Sequence, residues 1–86
     1  MKTIKITKEM LTPKTRSEMI TRLKFLEQWY KQEHSQLINT KDTIWKLNTF
    51  SAWKVIESCL KECDKLTDDN LMALINEYDF VLKDME

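Results

Sequence analysis

The sequence predicts an all-α fold: a small three-helix bundle with an extended N-terminal arm. Three observations predict it. Apolar residues recur at spacings of three and four over most of the chain beyond residue 12. Threonine and proline stand where such runs begin. The one strand-like alternation is "KTIKIT" at residues 2–7, with Ile4 and Ile6 on one face and Thr3, Lys5 and Thr7 on the other.

Taken in order, the arm spans residues 1–11 and raises a question of partnership, because a strand must satisfy its backbone N–H and C=O groups. With no second strand-like segment, the arm has four fates. It packs across the bundle, pairs with its copy in a dimer, adds to the edge of a partner's sheet, or stays without fixed structure. The first is favoured, with Ile4 and Ile6 covering apolar surface.

The first helix is expected over about 13–38. Thr12-Pro13 suits an N-cap and first helical position, and Thr15-Arg16-Ser17-Glu18 has the spacing of a capping box. Met19, Leu23, Leu26, Tyr30 and Leu37 then make one apolar stripe. The polar run "INTKDT" (38–43) connects it to the next element.

A second helix is expected over 49–66, capped by Thr49, with Trp53, Ile56, Leu60 and Cys63 as its stripe. Leu47 and Phe50 project off that stripe. The reading therefore places a separate helical turn at 42–47 and a break near Asn48. A third helix is expected over 68–84. Thr67 caps it, Asp68 and Asp69 sit on its positive end, and Leu66 with Leu71 fits a hydrophobic staple. Leu71, Ile75, Tyr78, Leu82 and Met85 carry its stripe.

Composition bounds the function. The 86 residues make one domain, and a chain of that size buries only roughly 60% of its unfolded surface, so association would help it. No apolar run is long enough to span a membrane, and no signal-peptide core opens the chain, so a cytoplasmic protein is expected. There is no glycine. Phosphate-binding loops, dinucleotide turns and nucleophile elbows all depend on it. Two alanines, two arginines and one proline, against many lysines and isoleucines, fit an AT-rich genome such as that of a phage, plasmid or low-GC bacterium.

Net charge is zero, yet residues 1–33 hold eight Lys/Arg against four Asp/Glu and residues 64–86 hold two against seven. The two ends face one another in the fold or between chains, or one of them meets a charged partner.

Cys59 and Cys63, four apart, are too few ligands for a structural zinc site without more than His34 to join them. They read as small core residues. His34 has no nucleophile or orienting acid on its own face, since Glu33 and Ser35 project about 100° away. Neither a catalytic pair nor a cofactor site is expected.

The aromatics carry more. Phe25 and Trp29 project roughly 90–135° from the first helix's stripe, and Phe80 points away from the third's. Large apolar side chains aimed off a core mark a contact surface. The expected function is thus a non-enzymatic protein-binding module, a small adaptor, inhibitor or accessory regulator. Its partner is another protein or a second copy, met through Phe25, Trp29, Phe80, Ile4 and Ile6. The alternative is a DNA-binding regulator, dimeric through the arm, that sets Thr3, Lys5 and Thr7 in the major groove. The arm alone resembles a ribbon–helix–helix regulator. Pro13 and the missing glycine depart from that pattern, and a pI near 6.6 weighs against nucleic acid.

Overall fold

Five short-chain polar side chains start the helices of this protein. In the computed structural model, which describes residues 6–37 and 41–85, α1 spans Lys8–Leu11, α2 Arg16–Gln36, α3 Thr43–Lys61, α4 Asp68–Tyr78 and α5 Phe80–Asp84. A 3₁₀ turn, Cys63–Lys65, links α3 to α4. Thr7, Thr15, Asp42, Thr67 and Asp79 are their N-caps, each side chain accepting from an amide of the first turn. No described residue takes a positive φ. The helices end in residues of negative φ instead, so they do without glycine C-caps.

The all-α class stands, and no strand occurs among the described residues. α2 is the spine on which α3 and α4 both pack. Glu27 and His34 of α2 meet Trp53 and Thr49 of α3, so those two helices run antiparallel. Arg16 and Tyr30 reach Asp68 and Tyr78, so α4 runs the same way as α2. The core joins Met19, Leu23 and Leu26 of α2 to Ile56 of α3, Leu71 and Ile75 of α4, and Leu82 of α5. The molecule is flattened, 45 × 40 × 17 Å, which leaves much of each helix facing outward.

Several expectations about element bounds are corrected. The arm is not extended to residue 11: Thr7 caps one helical turn at Lys8–Leu11, accepting from the Met10 amide at 3.3 Å. Residues 1–5 lie outside the described residues. The first helix begins at Arg16 rather than 13, because Thr15 outcompetes Thr12 as its cap. Thr12 instead closes α1, its hydroxyl donating to the Lys8 carbonyl. The expected box is open on one side, since Glu18 accepts from the Lys14 amide, one residue before the cap.

The break near Asn48 does not occur. α3 is continuous from Thr43, capped by Asp42, because an interior Asn costs a helix only tenths of a kcal/mol. Thr49 is not a cap but a fully buried interior residue, its hydroxyl bonded to the Trp45 and Lys46 carbonyls. Leu47 and Phe50 are indeed left uncovered, at 63% and 43% exposure. α3 also stops at Lys61, so Cys63 falls in the 3₁₀ turn, and both cysteines are half-buried rather than core residues.

The third helix is two. It stops at Tyr78 and restarts at Phe80, with Asp79 as both the C-cap of α4 and the N-cap of α5. Its predicted start is as expected. Thr67 and Asn70 form a reciprocal capping box, and Leu71 is fully buried.

Candidate functional site

The two arginines of the chain both lie on α2, and each holds a connection in place. Arg16 donates to the carbonyls of Cys63 and Leu66 and pairs with Asp68 at 2.8 Å, fastening the turn between α3 and α4. Arg22 forks onto Asp79, with Nε at 2.6 Å and Nη2 at 2.9 Å from its two oxygens. The Asp79 side chain is fully buried and also accepts from the Val81 and Leu82 amides. Burial alone pushes its carboxyl up. The Arg22 hydrogen bond, the two amides and the Arg22 charge outweigh that and hold it below the ordinary carboxylate value. About two helical turns beyond Arg22, the Tyr30 hydroxyl donates at 2.6 Å to the Tyr78 carbonyl that α4 leaves without an intrahelical partner. Burial, followed by the Asp79 charge and Tyr78, raises that hydroxyl's pKa.

This network explains what happens to the aromatic surface. The break at Asp79 turns Phe80 back toward α2, where its ring lies 4.3 Å from that of Trp29 and near Tyr30. Trp29 and Phe80 are therefore half-buried, closing the edge of the core rather than facing away from it. Phe25 is different. It is 48% exposed, with the Arg22 guanidinium 5.1 Å from its ring centre.

Phe25 borders a groove of about 430 Å³ between the α1 segment and α2, which Leu11, Pro13 and Thr21 also line. Leu11 is 42% exposed, and Met10 and Ile6 more so. Ile6 thus does not lie covered against the bundle. Ile4, Thr3 and Lys5 lie outside the described residues, and Thr7 is engaged as a helix cap. Of the expected contact residues that the structure describes, Phe25 lines this groove beside Leu11 and Pro13, Ile6 is exposed without lining it, and Trp29 and Phe80 serve in packing.

A second apolar surface was missed as a site. On the outer side of α3, Ile44 is 75% exposed, Leu47 63%, and Val55 lies further along the same side. The signal was present in Leu47 and Phe50 failing to fit the stripe. The assumption that apolar residues must be covered turned it into a helix break.

His34 sits between α2 and α3, its Nδ1 3.4 Å from the Thr49 hydroxyl and its ring near Phe50 and Trp53. Lys54 lies over the Trp53 ring at 4.2 Å, and the indole donates to Glu27. These are packing contacts of a helix pair. Among the described residues no cluster of three or more His, Cys, Asp or Glu could hold a metal ion, and no helix is long and apolar enough to cross a membrane. No protein-family model, curated protein or solved structure matches the chain.

Proposed function

We propose that this chain is a non-enzymatic protein-binding module, an adaptor, inhibitor or accessory regulator, that docks another protein on the groove beside Phe25. The supporting observation is that Leu11 and Phe25, both more than 40% exposed, line one depression on the molecule together with Pro13. Large apolar side chains grouped at a concave surface are what an inserted aromatic or aliphatic anchor of a partner requires. Arg22 is held by Asp79 in the wall of that groove, so its rim presents fixed geometry. The lysines of the N-terminal third favour a partner segment that carries acidic residues beside its apolar anchor.

The test is a tagged-chain pull-down from host lysate, with nuclease treatment, read by mass spectrometry. A stoichiometric protein survives nuclease, and Phe25→Ala reduces its recovery at least about tenfold while far-UV circular dichroism stays helical. Trp29→Ala is the contrasting variant. It removes the ring that packs on Phe80, and so lowers thermal stability as well. Recovery of nucleic acid alone would instead support a DNA-binding regulator, with Lys5 the residue to replace.

A further inference from the structure

The three tryptophans of the chain are not placed alike. Trp29 packs on Phe80 and Tyr30, and the Trp53 indole donates to Glu27 with Lys54 over its ring. Trp45 is 39% exposed, and among the described residues its ring stacks on no other and its indole N–H meets no acceptor. Such an indole presents a large apolar face and an open donor together. It lines a pocket of about 410 Å³, within the roughly 300–1,000 Å³ of small-molecule sites.

The helix arrangement makes this pocket. α3 and α4 both pack on α2, and the lining residues come from all three and from α5. Its more buried members are already satisfied. The Thr49 hydroxyl is held by carbonyls of its own helix, and the Tyr30 hydroxyl by the Tyr78 carbonyl. Its exposed polar members are the reverse. The side chains of Asn48, Ser51, Glu77 and Lys83 make no hydrogen bond or ion pair among the described residues. The Phe25 groove differs here, because Arg22 in its wall is held by Asp79 and Glu18 accepts from the Lys14 amide.

Glu77 and Lys83 reach one pocket because the helix breaks between them. Six residues on an unbroken helix would set them about 120° apart. The division at Asp79 instead ends α4 just beyond Glu77 and carries Lys83 on α5. A carboxylate and an ammonium thus line the same pocket without pairing with each other.

We propose that this pocket binds a free α-amino acid with an apolar side chain, its carboxylate meeting Lys83 and its ammonium meeting Glu77. A zwitterion matches both charges at once, whereas a simple anion leaves Glu77 opposed and a simple cation leaves Lys83 opposed. Asn48, Ser51 and the Trp45 indole add hydrogen bonds to the polar end of the ligand. Trp45, Tyr78 and Ala52 give apolar surface to its side chain. Both charged residues are exposed and screened by water, so the expected Kd is between about 10 µM and 1 mM. The pocket shares no lining residue with the Phe25 groove, and the two readings stand or fall separately.

Nuclear magnetic resonance of the full ¹⁵N-labelled chain tests it, since each tryptophan gives one indole N–H signal and Trp45→Phe identifies the one concerned. L-leucine and L-phenylalanine are the probes. Each should shift the Trp45 signal in a saturable way and leave that of Trp29 in place. Glu77→Gln and Lys83→Met should keep the parent's circular dichroism, both positions being exposed, and each should weaken binding at least about tenfold. Phenylalaninamide, which lacks the carboxylate, and N-acetylphenylalanine, which lacks the ammonium, should bind at least about tenfold more weakly than phenylalanine. A Trp45 signal unmoved by either amino acid at about ten times that upper Kd overturns the proposal. So does N-acetylphenylalanine binding as tightly as phenylalanine, which would mark a plain anion site, or binding that ignores Glu77→Gln.

Discussion

The two flanks of α2 are built on different terms. On the α4–α5 flank, three polar side chains of α2 reach across and finish hydrogen bonds that the other segments leave open. Arg16 takes the carbonyls of the α3–α4 turn, Arg22 the buried Asp79, and Tyr30 the last carbonyl of α4. Leu71, Ile75 and Leu82 behind them are almost completely buried. On the α3 flank, the join is apolar, through Ala52 and Ile56, with one indole bond to Glu27 and a long Thr49–His34 contact. That flank ends in an outer face left uncovered. Directional bonds close the first flank in one geometry only. The second is held by non-directional burial on its inner side and has its outer side available. The difference teaches where to look for folding determinants and where for tolerance of change.

The comparison predicts unequal responses to substitution. Asp79→Ala should be the most damaging change, since it strands the Arg22 guanidinium and uncaps α5. Removing one partner of such a buried pair costs about 3–5 kcal/mol, a large part of a small domain's stability, measurable by urea denaturation. The same pair gives a pH signature. A carboxyl held below its ordinary value of 3.8 contributes stability that is fully present above that value. The contribution is lost as pH falls through the lower folded-state value. An acid titration of unfolding should therefore show a falling limb below about pH 4 that is shallower in Asp79→Asn.

A smaller loss is expected from Tyr30→Phe, which keeps the ring and leaves the Tyr78 carbonyl unsatisfied, at about 1–3 kcal/mol. Smallest of all is Ile44→Thr on the open face. The unfolding free energy should move by no more than about 0.5 kcal/mol. A large effect there would mean that the open face is covered within the chain, and the contrast between the flanks would disappear.

Much of the scaffold was legible from local chemistry. The stripe of α2, the cap at Thr67 and the staple of Leu66 and Leu71 are all features a helix needs wherever it packs, so spacing and cap type reveal them. The division at Asp79 was not legible. The apolar spacing runs through Ile75, Tyr78 and Leu82 without interruption, and no glycine or proline marks a stop. What breaks the helix is a carboxylate that prefers Arg22 and two amides beyond it, and Arg22 is 57 residues away. The candidate site failed in the same place, because Phe80 was projected along a helix that had already ended. For α3 the error was one of premise. Apolar residues found inside do not imply that apolar residues must be inside, and Leu47 shows the converse.

The long reach of Arg22 also has a consequence in time. Translation at about 5–20 residues per second takes roughly 3–11 s to deliver Asp79 after Arg22 has been made. Over that interval the α2–α3 hairpin carries an unpaired guanidinium, along with two apolar surfaces. One is the surface of α2 that α4 will later cover. The other is the stripe of α3 that no described segment of the chain covers at all.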